Sequence, residues 1–364
     1  MSDSDRTDAV PVLVIGAGQA GLAAAWQLRR AVVPYRIVDA AARVGDSWRA
    51  RYDGLTLFTP RFLSALPGLP LAGDPEGYAG RDEFAAYLED YERRFAIPVE
   101  TGTRVGRLER APDGTFVAHT ANGGAIRVSS VIIASGAFQQ PAIPALAGGF
   151  DAAVAQLPAA AYRNAGSVPE GTVLVVGDGA SGRDIAVDLS ASRRVLLAAG
   201  KPRKLFSERV LGRSMWWWLA KLRLLRVPTG SALGRLMRRT DPLPDRDRNL
   251  DSLRRRGVIV TARLTGAIGR TASFADGREE AVDAVVWTTG YRDDSSWVDI
   301  EGAADASGAF LHEAGVSPVP GLFFVGRPWQ RNRASGLIMG VADDAAWIVA
   351  RLARGAEITR DRRR

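Results

Sequence analysis

Short apolar runs, glycine turns and helically spaced apolar positions follow one another along the chain, and the order repeats. Residues 12–16 predict a buried strand, GAGQAG (16–21) a tight turn, residues 20–31 a helix and YRIVDA (35–40) a second strand. The same succession returns from about residue 160, with a strand over 173–176, a helix over 181–192 and the strand VLLAA (195–199). Between the two, residues 44–78 are irregular and rich in Gly and Pro, with LTLFTP (55–60) a candidate short strand. RDEFAAYLEDYERRFA (81–96) sets Phe84, Tyr87, Leu88, Tyr91 and Phe95 at helical spacing, with Asp82 in the cap region. TRVGRLER, GTFVAHTA and AIRVSS alternate with turns, APDGT being a hairpin signal, and VIIASG ends the section before QQPAIP breaks the chain. Residues 205–240 read as helical or irregular. GVIVTARLTGAI, TASFADG and AVDAVVWTTG read as strands, and the stretch from LFFVG to LARG as a strand, a loop and a long apolar helix.

Each glycine turn fits G-x-G-x-x-G: Gly16, Gly18 and Gly21, then Gly177, Gly179 and Gly182. The first glycine permits the turn, the second lets backbone approach a pyrophosphate, and the third lets helix pack on strand. Gln19 and Ala20 in one copy, and Ala180 and Ser181 in the other, open the helices whose free N–H groups and positive dipole end favour phosphate. The copies differ where the ligand is chosen. Asp39 ends YRIVD and supplies the carboxylate that holds a ribose diol. Gly16 and Gly177 are 161 positions apart, and the same shift carries Asp39 onto Gly200, followed by the cations Lys201, Arg203 and Lys204. A carboxylate repels a 2′-phosphate and cations attract it. The first site is expected to bind FAD or NAD and the second NADPH; solvated loop cations are the plainer alternative. Two dinucleotides in one chain are most simply a resident flavin and a nicotinamide that delivers hydride to it.

Composition narrows the chemistry further. The 364 residues favour two or three domains, and 46% apolar with 24% charged residues is ordinary for a globular chain. No apolar run is long enough to span a bilayer, and the polar, acidic start MSDSDRTDAV carries no secretory pattern, so a cytoplasmic location is expected. Cysteine is absent, which excludes disulfides, thiolate metal sites and a dithiol relay; with only His119 and His312 as imidazoles, no metal site is expected. The net charge of +8 is nearly all arginine, clustered at 235–239, 246–256 and the tail, without zinc-finger or helix-turn-helix spacing. A solvated basic surface with a dinucleotide phosphate site is expected, and no nucleic-acid partner.

Several segments together resemble the bacterial flavin-containing monooxygenase-like family. They are GAGQAG, GDSWRARYDGLTLFTPRFLSALPG, GYAGRDEFAAYLEDY, IIASGAFQQPAIP, VVGDGASG, VVWTTGYR and GVSPVPGLFFVGRPWQRNRASGLIMGV. The closer likeness is to a branch labelled as flavoproteins of metal or potassium transport, related to plant flavin monooxygenases of auxin synthesis. It runs from about Val12 to Arg354. It implies that Gly45, Ser47 and Trp48 lie against the isoalloxazine and ribityl chain. Ala134 to Gly136 and Thr288, Thr289, Gly290 and Tyr291 become the two crossings between domains, and Gly326, Ser335 and Gly336 bring a strand end and a helix start to the flavin pyrimidine. The chain also departs from the family. Tyr162, Arg163 and Asn164 remain of an interdomain fingerprint, but Pro158 stands at its histidine, and Phe58 stands near a position where relatives place asparagine. The donors left near the flavin are Gln330, Arg331, Asn332 and Arg333; Gln330, Asn332 and above all Arg333 are the catalytic candidates. His312 matches a family histidine but reads more simply as a surface residue.

The expectation is an α/β protein of two Rossmann-like dinucleotide-binding domains, the NADPH domain inserted into a discontinuous FAD domain. The FAD domain takes residues 10–157 and 284–356, and the NADPH domain 158–283 with a helical flap over 205–240; a basic tail follows over 357–364, and residues 1–9 and 359–364 are expected to be disordered. Residues 213–239, with Trp216, Trp217 and Trp218, read as a flap packed on the NADPH domain, a cover for the active-site mouth or a membrane-surface helix. The function expected is an FAD-dependent, NADPH-consuming monooxygenase that uses molecular oxygen, forms a flavin hydroperoxide and oxidises a small organic molecule at N, S or activated carbon. A reductase or oxidase releasing peroxide, or passing electrons to a partner, is the alternative, and a non-catalytic flavin-bound accessory protein a second. Oligomeric state is left open.

Overall fold

A computed structural model describes residues 12–361, and side chains through residue 354. The expected disorder of 1–9 lies outside the described residues. The chain opens with β1 (Val12–Ile15), α1 (Gln19–Arg30) and β2 (Tyr35–Val38), then α2 (Asp46–Arg49), α3 (Arg81–Arg94) and β3 (Val99–Glu100). A meander of β4 (Val105–Arg110), β5 (Phe116–Thr120) and β6 (Ala125–Val128) precedes β7 (Ser130–Ile133) and β8 (Gln140–Pro141). The second unit holds β9 (Ala155–Pro158), β10 (Thr172–Val176), α4 (Ala180–Ser190) and β11 (Arg194–Ala198). An insertion follows, with β12 (Leu205–Phe206), the hairpin β13 (Arg209–Val210) and β14 (Arg213–Ser214), α5 (Met215–Lys221), α6 (Ala232–Thr240) and β15 (Leu243–Pro244). Then come α7 (Leu250–Arg255), β16 (Ile259–Thr261), the meander β17 (Leu264–Ile268), β18 (Thr271–Phe274) and β19 (Glu279–Ala281), and β20 (Ala284–Trp287). β21 (Tyr291–Arg292), β22 (Val298–Asp299), β23 (Leu322–Phe324) and α8 (Ile338–Asp361) complete the chain.

Two five-stranded parallel sheets result, ordered β23-β7-β1-β2-β3 and β16-β11-β10-β20-β9. In each, the order reverses beside the strand that carries the glycine turn, which is where an open α/β sheet takes its ligand. β1 is buried throughout and β10 from Val173 to Val176, as a strand covered on both faces must be, so these sequences are apolar runs without alternation. Alanines 20 and 23–25 of α1 are buried in the core shared with α3 and α8.

Several expectations need correction. Ala284–Trp287, assigned to the returning FAD domain, is β20 of the second sheet, paired with β10 on one side and β9 on the other. The second unit therefore begins by Ala155 rather than at 158. Its last strand is apolar on both faces, so nothing in its pattern says which sheet it joins. α3 is capped at Gly80, and Asp82 lies in its first turn with Glu83, where acids favour the helix dipole. LTLFTP contributes one isolated bridge, Thr56 to Gly80. α8 runs on to Asp361, beyond the boundary expected at 356. No helix among the described residues is long and apolar enough to cross a membrane.

Candidate active site

The first glycine turn is held by contacts that exclude side chains at two of its glycines and leave room at the third. Gly16 has φ +102°, and a Cβ there would lie 2.7 Å from the Ala134 carbonyl oxygen. A Cβ on Gly21 would lie 1.8 Å from the Gly16 carbonyl oxygen, which is the close approach of helix to strand. Around Gly18 a Cβ would meet nothing within 4 Å. That open space, in front of the N-terminus of α1, fits a pyrophosphate brought against backbone. Asp39 accepts from the Ala17 N–H at 2.6 Å and the Ala41 N–H at 2.8 Å, so its carboxylate reaches the turn itself.

The other expected flavin residues converge on this edge. Gly45, at φ +87°, caps α2, and its missing Cβ leaves space against the Ala85 carbonyl oxygen. Trp48 donates its indole N–H to Gln19 Oε1 at 3.2 Å and packs edge-on against Phe84; Ser47 is exposed. Ala134 lies under Gly16, and Gly136 has φ +77° with open space beside it. Gly326 follows β23 at φ +85°, so close to Ala20 that a Cβ would overlap it. Ser335 Oγ accepts from the Arg331 and Asn332 N–H groups at 3.1 and 3.3 Å, and Gly336 packs on Pro328. Arg327, missed in the sequence because it sits inside a glycine–proline turn, donates to the Gly136 carbonyl oxygen at 3.1 Å and pairs with Asp293. It ties a domain crossing to the strand end.

The second turn repeats the geometry. Gly177 has φ +107°, a Cβ on Gly182 would lie 2.0 Å from the Gly177 carbonyl oxygen, and Thr288 Oγ1 donates to the Val176 and Gly177 carbonyl oxygens. Ala180 and Ser181 begin α4, in front of Gly179, where a Cβ would meet only the end of Arg203 at 3.9 Å. The crossings pair with each other: β21 runs antiparallel to β8, with Tyr291 opposite Pro141, and Thr289 Oγ1 donates to the Ala142 carbonyl oxygen at 2.7 Å. Gly290 turns the chain there at φ +90°. Beside the turn opens a cleft of about 370 Å³, lined among others by Gly200, Lys201, Arg203, Asp178, Arg183 and Asn249. Lys204 is exposed and is not among its lining residues. Asp178 is 5% exposed, and its carboxylate lies 3.1 Å from Arg183 Nη2 and 3.4 Å from Arg203 Nε. So the second copy does have an acid at the cleft beside its turn; it comes from the turn instead of the strand end.

The candidate oxygen-side donors are largely engaged within the protein. Gln330 is buried and donates to the Phe324 carbonyl oxygen at 3.0 Å, while its own oxygen accepts from the Arg327 N–H. Asn332 Oδ1 caps the short turn Arg333–Gly336 by accepting from the Ala334 N–H. Both thus fix the shape of the loop. Arg333 lies 3.2 Å from Asp241 Oδ1 and over the Trp329 ring, and burial pushes its pKa down against the opposing pull of Asp241. Asp344 was not anticipated. It is 1% exposed, its pKa is pushed up to about 6 by burial, and it lies 3.3 Å from Arg331. Its place inside an apolar helix gave no sequence signal. His312 is half-buried, not a surface residue: burial lowers its pKa and its Nδ1 has no hydrogen-bond partner.

The flap does more than pack on the second unit. Trp216 is 1% exposed and clusters with Leu63, Leu225, Ala334 and Leu337, with Phe58 packed on the same cluster. It covers the side of the first unit that carries Phe58 and the C-terminal loop. Trp218 donates to the Val210 carbonyl oxygen, and Trp217 is partly buried edge-on against Trp218; the flap's exposed large apolar side chains are Leu211, Leu222, Leu233 and Leu236. The surviving fingerprint residues hold the domain junction. Arg163 donates to the Arg51 carbonyl oxygen and Asn164 to Asp53, both across the junction, while buried Tyr162 donates to Asp188 at 2.5 Å inside the second unit.

Comparison with known proteins agrees with this geometry. The family model described as pyridine nucleotide-disulphide oxidoreductase matches residues 13–207. An "uncharacterized oxidoreductase CzcO-like" of Geobacillus kaustophilus is 42% identical over 342 residues, 93% of this chain and 97% of the relative. Indole-3-pyruvate monooxygenase YUCCA1 of rice is 27% identical over 338 residues, covering 85% of this chain and 82% of the relative. The solved flavin-containing monooxygenase of Stenotrophomonas maltophilia superposes with a TM-score of 0.79 at 27% identity, over 95% of this chain and 99% of that one.

Proposed function

The chain belongs to the pyridine nucleotide-disulphide oxidoreductase family of flavoproteins, and from that premise we propose that it is an NADPH-dependent flavin monooxygenase acting on a small organic molecule. The observation that carries this is the pair of glycine cradles at the reversal points of two parallel sheets, linked by the paired crossings β8 and β21. The residues present fit FAD at the first cradle. The open space at Gly18 would take its pyrophosphate, Asp39 its ribose, and the segments around Gly45, Gly136 and Gly326 its ring end. The second cradle and the cleft around Lys201 and Arg203 would take NADPH. A flavin held there would supply hydride acceptance from the nicotinamide and electron transfer to oxygen. With no cysteine in the chain, a dithiol cannot receive the electrons.

The protein's own part is binding, orientation and exclusion of water. Thr288 anchors the second turn, and Thr289 ties one crossing to the other. The Trp216 cluster seals the flap against the first unit, and a sealed site strengthens every polar contact inside it. Arg333 is the cation we assign to the oxygen side. The engagement of Gln330 and Asn332 with backbone, and the apolar setting of Phe58, favour a second reading: an oxidase that releases peroxide. One experiment separates the two. The NADPH-reduced protein is mixed with labelled oxygen and a panel of amines, thioethers and ketones. Oxygen incorporated into product with little peroxide supports the monooxygenase, and peroxide equal to NADPH consumed across the whole panel refutes it.

A further inference from the structure

The two glycine turns are built as complements. In the first, the Ala17 N–H donates to Asp39, a carboxylate sent from the end of β2 into the turn. In the second, the position of Ala17 is taken by Asp178 and that of Asp39 by Gly200. The carboxylate has moved from the strand end to the turn, yet it still lines the cleft that Gly200 borders. It is also unlike a solvated acid. Asp178 is 5% exposed and Arg183 4%; Arg183 Nη2 lies 3.1 Å from Asp178 Oδ2, and its Nε donates to the Asp178 carbonyl oxygen at 2.9 Å. The second oxygen, Oδ1, faces Arg203 Nε at 3.4 Å, and the Arg203 side chain is 44% exposed. One oxygen is therefore fixed by a buried partner. The other is covered by a cation free enough to leave.

We propose that Asp178 and Arg203 form a selector for the 2′-substituent of the nicotinamide dinucleotide, which lets this chain use NADH as well as NADPH. The proposal rests on the second turn being the nicotinamide site. With a 2′-phosphate, Arg203 turns from Asp178 to the phosphate, and Arg183 keeps the carboxylate compensated. With a 2′-hydroxyl, Asp178 Oδ1 accepts it, as Asp39 is placed to do for the other ribose. The carboxylate both repels the phosphate and rewards the hydroxyl, so the NADPH preference is narrower than Lys201 and Arg203 alone would give.

The test is anaerobic reduction of the FAD-loaded protein by NADPH and by NADH, with half-saturation measured for each, and binding of adenosine 2′,5′-bisphosphate and ADP as probes of the adenosine end. Wild type is expected to favour NADPH by less than about tenfold, because one charge-assisted contact offsets another. Asp178→Asn should weaken NADH and tighten NADPH, widening the ratio by about tenfold or more. Arg203→Ala, at a side chain 44% exposed that can be lost without unfolding, should weaken NADPH and bind NADH as tightly as wild type or more tightly, because Asp178 Oδ1 is then uncovered. Equal changes for both nucleotides in Asp178→Asn, or an Arg203→Ala that weakens both alike, overturn the selector. Wild type that binds neither nucleotide nor either probe would instead overturn the assignment of the second turn.

Discussion

Replacing Gly18 by valine separates two roles that glycines play in one turn. At Gly18 the backbone has φ −70° and ψ −171°, a conformation that valine adopts, and a Cβ there meets nothing within 4 Å. The fold should accept the substitution at about 1 kcal/mol, the cost of a poor residue at a helix N-cap. The same space is where the FAD pyrophosphate would sit against the N–H groups at the start of α1. Hydrogen bonds to a charged group contribute roughly 1.5–3 kcal/mol each, so losing two of them weakens binding by about a hundredfold or more. Gly21→Ala is the contrast, because its Cβ would lie 1.8 Å from the Gly16 carbonyl oxygen, a clash that cannot relax without moving β1 away from α1. The assay is FAD content after purification, FAD affinity by fluorescence titration, and thermal unfolding of the FAD-free protein. Gly18→Val is expected to unfold within a few degrees of wild type yet purify colourless, while Gly21→Ala is expected to be poorly folded. A yellow Gly18→Val protein with wild-type affinity would refute the placement of the pyrophosphate.

Gly179→Val should keep its FAD but lose reduction by both nicotinamide dinucleotides, because the open space is repeated at the second turn; retained reduction with unchanged half-saturation would count against that cradle. Asp344 has a folded-state pKa of about 6 against an ordinary 3.8, so the folded protein binds the extra proton between those values. Its contribution is greatest below that window and is lost as pH rises through it, by about 2–3 kcal/mol; Asp344→Asn should flatten the fall in Tm between pH 4 and 7, and an unchanged profile would show that this carboxyl does not titrate there. Arg333→Ala should raise peroxide released per NADPH while leaving the rate of flavin reduction unchanged; an unaltered peroxide yield would remove Arg333 from the oxygen side.

The duplicated strand, turn and helix were legible because each carries its own local signal: an apolar run, glycines at fixed spacing and a helical apolar period. The same holds for α3, whose aromatic positions were read correctly even though its cap was misplaced by two residues, from Gly80 to Asp82. What was not legible depends on register. Ala284–Trp287 is apolar on both faces in either sheet, and only its pairing with Val173–Val176 assigns it to the second. The flap's sequence leaves open a packed flap, a cover for the site's mouth or a membrane-surface helix, and Trp216 turns inward because Leu63, Ala334 and Leu337, distant in sequence, form a cluster for it.

The acid of the second cleft shows why spacing alone misleads at a site. A count along the second copy looks for a carboxylate at the end of the strand after the turn, finds Gly200 and concludes that none is there. A ribose, however, is held by a carboxylate at a point in space, and the turn and the strand end border the same point. Ala17 and Asp39 occupy the two borders in the first copy, with the acid on the strand and the small residue in the turn. Asp178 and Gly200 occupy them in the second with the order exchanged, and the exchange is possible because Arg183, one helical turn into α4, compensates a carboxylate at that depth. An acid in the turn without that arginine would keep only the partly exposed Arg203 as its partner, and removing the buried partner of a buried ion pair costs several kcal/mol. Asp178 and Arg183 are therefore one feature of the second cradle, and a chain with only one of them would be expected to fold less stably than a chain with neither.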